Sequence, residues 1–295
     1  MKTDGDPEPL AALEAGRRAQ GRGALGGFAY DLDGSTPALA VALHSGHAMR
    51  AELQPFVCIP EEARYLEEDP ATDAMIRGAP NAVWGLDSRA EYDLNRPRER
   101  AVPLTPEHFW GVPVYREPLP EALVRRSLDK YDEFYRFVEG CVRRLLERFG
   151  FCVVFEIHSY NLARQIAKGI AEPPVFNLGT ALTDVPRWRP RLDDWLARLA
   201  RIEIPGVRTT VAENLVFKGA SEFCRRMLAL DPRVLDLPTE VGKYYMDERA
   251  GRLFEDRVAA IGRGLRAAMA AHGCLGRPRR VGCGANAPND PKPPR

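Results

Sequence analysis

Residues 151–160 read Phe-Cys-Val-Val-Phe-Glu-Ile-His-Ser-Tyr. The run Phe151–Ile157 is a near-continuous apolar stretch, and polar residues follow at once. That pattern marks a strand buried on both faces of a parallel sheet. Upstream, Pro118–Gly150 spaces Leu123, Leu128, Tyr131, Phe134, Phe137, Val138 and Val142 at helical intervals, with charges between them. Gly150 stands where a helix C-terminus favours glycine. Further upstream, Ala38–Leu43 (ALAVAL) is a second buried-strand pattern. Residues 61–77 carry a helical pattern broken at Pro70. Asn81–Leu86 and Ala90–Leu94 read as strands about a turn. Downstream, helices are expected over Arg191–Ile202, Glu222–Leu230 and Asp247–His272, with Val234–Pro238 extended. Strands alternating with helices predict an α/β three-layer sandwich with a mixed, mainly parallel sheet. Residues 1–275 are expected to form a single catalytic domain, with 1–35 as an extension packed on it. The Pro-, Gly- and Asn-rich residues 276–295 read as a disordered tail.

Bulk properties narrow the function classes. A net charge of +1 over 295 residues gives no field that would recruit nucleic acid or an anionic membrane. No apolar run approaches the roughly 20 residues of a membrane span. The N-terminal residues have no signal-peptide core, which points to the cytoplasm. Six scattered cysteines (Cys58, Cys141, Cys152, Cys224, Cys274, Cys283) form no CxxC pair and read as reduced, mostly buried thiols. The sequence sets no oligomeric state.

The chemistry-bearing residues fall at strand ends, where α/β folds place their sites. His44 and His47 follow the ALAVAL strand, and His158 follows the 151–157 strand. Imidazole is the commonest zinc ligand, and a catalytic zinc usually takes three protein ligands. The third is open between His47, three residues after His44, and Asp73 on the following helix, with Asp69 four residues before it. Asp93-Leu94-Asn95-Arg96-Pro97 offers a guanidinium fork and an amide suited to a carboxylate, and Arg89 lies close by. Glu240 follows Val234–Leu237 and has the chemistry of a general base. Lys218 precedes Gly219, a residue that permits close backbone approach.

In this order the motifs resemble zinc metallocarboxypeptidases: His44-Ser45-Gly46-His47, Asp93-Leu94-Asn95-Arg96, Ile157-His158-Ser159-Tyr160 and Thr239-Glu240. Within that superfamily the chain is most similar to N-formylglutamate amidohydrolases. Thr72-Asp73, Ser88-Arg89, Phe176-Asn177-Leu178-Gly179-Thr180, Phe217-Lys218-Gly219 and Tyr245-Met246-Asp247-Glu248 add to the likeness, which covers about residues 38–270. The resemblance implies a zinc-dependent exopeptidase-like fold and one zinc per chain on His44, His158 and Asp73. It implies Glu240 as general base, and Arg96 with Asn95 and Arg89 on a substrate carboxylate. The implied reaction is hydrolysis of an N-acyl, N-formyl above all, acidic amino acid. A carboxypeptidase and a catalytically silent metabolite-binding protein of the same fold are the alternatives. His47 stands where carboxypeptidases carry a ligand glutamate, and Ala220 replaces a glycine of the usual pair.

Overall fold

The computed structural model describes residues 7–273. The expected tail, Cys274 and Cys283 lie outside them. Nine strands form one sheet: β1 (Ala19–Arg22), β2 (Phe28–Leu32), β3 (Ala38–Ala42), β4 (Asn81–Gly85), β5 (Cys152–Tyr160), β6 (Phe176–Leu178), β7 (Val211–Glu213), β8 (Val234–Asp236) and β9 (Thr239–Gly242). The order is β1-β2-β4-β3-β5-β9-β6-β7, with β8 also on β5. The β3–β4, β3–β5, β5–β8, β5–β9 and β6–β7 pairs are parallel, and the other three are antiparallel. The mixed, mainly parallel sheet is therefore as the alternating pattern predicted.

Strand alternation divides the central side chains between two cores. Ala38, Ala40, Ala42, Val153, Phe155 and Ile157 join one, and Leu39, Val41, Leu43, Cys152 and Val154 the other. Helices cover both faces. The first core takes α3 (Thr72–Ile76), α7 (Val185–Leu199) and α9 (Glu255–Gly273). The second takes α1 (Pro7–Glu14), α5 (Glu121–Phe149) and α8 (Glu222–Leu230). Shorter helices α2 (Glu61–Glu67), α4 (Arg98–Ala101) and α6 (Leu162–Ala167) lie at the connections. Gly150 caps α5 at φ 75°, its N–H donating to the Leu146 carbonyl. Among the described residues, no helix is long and apolar enough to cross a membrane.

Four elements differ from the sequence expectation. Residues 19–32 are two sheet strands, not merely a packed extension. Ala90–Leu94 is a turn, because Glu91 and Asp93 within it are drawn to Arg50 and His44. α7 begins at Val185, with Pro186 in its first turn, where a missing N–H costs nothing. Met246–Leu253 is a small hairpin, β10 (Met246–Asp247) with β11 (Arg252–Leu253), so the last helix starts only at Glu255.

The long β5 pairs with two strands in succession. Cys152–Val154 align with β8, and Ile157–Tyr160 align with β9. Pro238, which has no N–H for the ladder, separates β8 from β9. This register places His158 directly beside Glu240.

His272 of α9 is a core residue. It meets the Phe155 and Trp195 rings edge-on, and its Nδ1 lies 2.8 Å from Asp194. Burial pushes the imidazole down to about 4, outweighing the raising effect of Asp194. The unfolded chain therefore binds a proton below its ordinary pKa of about 6.5 that the folded chain refuses. Stability will fall as pH drops from 6.5 towards 4, with about 2 kcal/mol lost to this group between pH 7.5 and 5. Urea unfolding of the His272→Gln variant at both pH values checks this: its difference between them should be smaller by that amount.

Candidate metal centre and substrate pocket

At the carboxyl ends of β3, β5 and β9 the structure brings together His44, Asp69 and His158, one donor atom from each within 4.8 Å of the others. All three are buried. Asp69 occupies the turn between α2 and α3, where its N–H donates to the His44 carbonyl (2.9 Å). Its Oδ2 lies 3.1 Å from His158 Nδ1 and 3.4 Å from His44 Nδ1. Ser159 Oγ donates to its other oxygen at 3.2 Å. Burial alone would raise the Asp69 carboxyl, but its contacts with His158 and His44 win and hold it well below the usual range.

The outer ring nitrogens are each held by a further carboxylate. His44 Nε2 meets Asp93 Oδ1 at 2.8 Å, and His158 Nε2 meets Glu156 Oε1 at 2.7 Å. Such partners fix the tautomer and leave Nδ1 facing inward as a lone-pair donor. His44 Nδ1 is buried with no hydrogen-bond partner. Two inward imidazole nitrogens, one of them without a hydrogen-bond partner, and an ionised carboxylate make a set that fits a divalent cation, zinc among them. Behind Glu156 lies Asp236, whose carboxyl is driven well above its usual range by burial and then by Glu156 itself. Two adjacent buried carboxylates disfavour double ionisation, so Asp236 favours its protonated form beside the carboxylate that orients His158.

Asp73, the expected third ligand, is not in this cluster. It sits on α3 and pairs with Arg77 at 2.6 Å. The rule that residues four apart share a helix face fails here, because Pro70 and Ala71 (φ 65°) separate Asp69 from the helix that carries Asp73. His47, the other candidate, faces away. It is half-exposed and lies against Glu68, Glu61 and Arg64.

A cavity of ≈ 360 Å³ opens over the cluster, and Glu240, Asn95, Arg89 and Arg96 all line it. Burial pushes the Glu240 carboxyl up to about 8, against the lowering effect of His158. Asn95 is fixed: its N–H donates to Asp93 Oδ1 and its Oδ1 accepts from the Phe223 N–H. Arg89 is engaged with Asp93 through Nε and Nη2 and with the Glu67 carbonyl through Nη1. Arg96 is freer, its nearest carboxylate oxygen 3.8 Å away on Asp93. Lys218 also lines the cavity, on a loop that Asn177 clamps through Leu215, Val216 and Phe217. That loop presses on Gly179 so closely that a Cβ there would stand 2.3 Å from the Gly219 nitrogen. The close approach read from Gly219 is thus present, and Gly219 itself has φ 68°.

Sequence reasoning missed the supporting residues. Glu156 had a visible signal, a carboxylate two residues before His158 on the same side of a buried strand. Lys243, Trp110 and Arg164 line the pocket without one. Lys243 Nζ donates to the carbonyls of Leu66 (2.6 Å) and Glu68 (2.8 Å) and to Asn161 Oδ1 (2.6 Å), tying β9 to the turn that carries Asp69.

A search of curated proteins gives no match. Among solved structures, the N-formylglutamate amidohydrolase of Ralstonia eutropha JMP134 superposes with a TM-score of 0.66 at 21% identity, over 82% of this chain and 95% of that one. The gene product Atu2144 of Agrobacterium tumefaciens superposes with a TM-score of 0.58 at 20% identity, over 88% and 96%. These likenesses concern the fold. The family model for N-formylglutamate amidohydrolase matches residues 36–266, most of the chain, and the chain therefore belongs to the N-formylglutamate amidohydrolase family.

Proposed function

We propose that this amidohydrolase cleaves the amide bond of an N-acyl acidic amino acid, N-formylglutamate above all, using one zinc ion held by His44, Asp69 and His158. The observation that carries the reading is Glu240. A half-buried carboxylate stands in register with His158, on the same cavity as the unpartnered His44 nitrogen. A divalent cation held there acidifies water and polarises an amide carbonyl. Glu240 accepts the proton of the attacking water and returns it to the departing nitrogen. Its burial keeps it basic enough to do so, although a neighbouring cation draws its pKa down from the value near 8. Asp93 and Glu156 hold the two imidazoles in place. Arg96, beside Asn95 and Arg89, receives a substrate carboxylate and converts binding into positioning. We take residues 1–275 as one catalytic domain acting in the cytoplasm. The four described cysteines are all unbridged, which fits a reducing compartment.

The test is formate release from N-formyl-L-glutamate by purified protein, before and after chelation and zinc return. Zinc-restorable release supports the reading. Cleavage of a C-terminal residue from a dipeptide, with N-formylglutamate untouched, would replace it with a carboxypeptidase. Lys243 adds a second check. Lys243→Met will weaken zinc binding on the order of tenfold, the scale of other changes just outside a ligand set. Competition with a chromogenic chelator measures this, and unchanged affinity would mean that the Asp69 turn is held by other contacts.

A further inference from the structure

We infer that Trp110 is a positioning residue for substrate specificity: its indole ring gathers Arg96 and Arg164 into a receptor for one carboxylate. The inference rests on the pocket reading above and adds two residues to it. Trp110 is 40% exposed, and its backbone is left-handed at φ 50°. Three guanidinium groups converge on its ring, two from the connection between β4 and α4 and one from α6. Arg89 stands 4.5 Å from the ring centroid, Arg96 5.5 Å and Arg164, on α6, 5.7 Å. All four residues line the pocket.

Three like charges do not assemble without compensation. The aromatic face supplies part of it through its quadrupole. Asp93 answers Arg89, and Glu67 answers Arg164 through two contacts. Three cations less two carboxylates leaves one positive charge. It falls on Arg96, which is 38% exposed with no carboxylate oxygen nearer than 3.8 Å. A planar carboxylate matches a guanidinium in shape and hydrogen-bond geometry. The excess charge therefore selects a substrate with one carboxylate reaching the Trp110 corner, and the ring sets where that carboxylate lies.

The probe is glutarate, which carries carboxylates but no amide, titrated into zinc-supplied protein by calorimetry and tryptophan fluorescence, with neutral glutaramide as control. Wild type should bind glutarate and not glutaramide, with a saturable fluorescence change. Trp110→Ala should weaken glutarate binding on the order of tenfold, as should Arg96→Ala. Trp110→Phe, which keeps a ring, should bind within about threefold of wild type while losing the fluorescence change. With N-formylglutamate, Trp110→Ala should raise KM and leave kcat within about twofold, the signature of lost uniform binding. Glutarate bound equally by Trp110→Ala and wild type would overturn the inference, whatever the hydrolysis assay gives. Glutarate binding that depends on Trp110 in a protein that hydrolyses nothing would support it and defeat only the proposed reaction.

Discussion

Asp69→Asn protein will fail to hold stoichiometric zinc, whereas Asp73→Ala protein will hold it as wild type does. Asparagine keeps the shape of the side chain and removes the charge that faces two imidazole nitrogens at 3.1 and 3.4 Å. A neutral amide is a poor partner for a divalent ion, and the loss of a ligand should exceed the ~10–100-fold that changes to outer partners cost. Asp73 makes an i,i+4 pair with a half-exposed Arg77, and losing such a pair costs about 0.3–0.5 kcal/mol. Elemental analysis after dialysis, with circular dichroism to show that both variants fold, decides the matter. Zinc lost from Asp73→Ala and kept by Asp69→Asn would reverse the assignment.

That contrast also shows where the sequence stops being legible. β3 and β5 announce themselves because both faces are covered, so nearly every position is apolar. His44 and His158 are legible for the same reason, as each is a polar residue that abruptly ends or closely follows such a run. β6 and β7 have three residues each, too few to show a period. β1 alternates between half-buried and exposed positions at the sheet edge, and its Gly and Arg content hides it. Asp69 is a problem of another kind. Spacing along the chain predicts a shared face only while the helix continues, and Pro70 with the left-handed Ala71 ends that continuity between Asp69 and Asp73. Ala90–Leu94 failed as a strand for a related reason. Its alternating pattern is real, but Asp93 is committed to His44 and Arg89, and Glu91 to Arg50. A segment whose polar side chains serve as anchors can mimic the period of a strand. Trp110 stayed invisible because its partners come from two segments, the 89–96 connection and α6, and only the folded chain brings them together.

Glu240→Gln will bind zinc with wild-type stoichiometry and lose hydrolysis of N-formylglutamate by about 10²–10⁴-fold in kcat, the range that a positioned proton-transfer group supplies. Glutamine fills the same volume and can still accept a hydrogen bond, but it cannot carry a proton from water to the leaving nitrogen. Glu240 is separate from the cluster of His44, Asp69 and His158, so metal content should not move. The substitution also removes a carboxylate whose pKa burial raises to about 8. A carboxyl raised in the fold is less costly to keep neutral, so its neutral isostere should leave the melting temperature unchanged or higher, not lower. This separates the possible roles. A purely structural Glu240 would show in stability and leave kcat alone. A ligand would show in zinc content. A base shows in kcat only, and the substrate dissociation constant, measured by calorimetry on the inactive variant, stays close to that of the chelated wild type corrected for zinc. A Glu240→Gln protein that turns over at the wild-type rate with its zinc in place would remove the base, and the proton would then have to leave through some other group on the cavity.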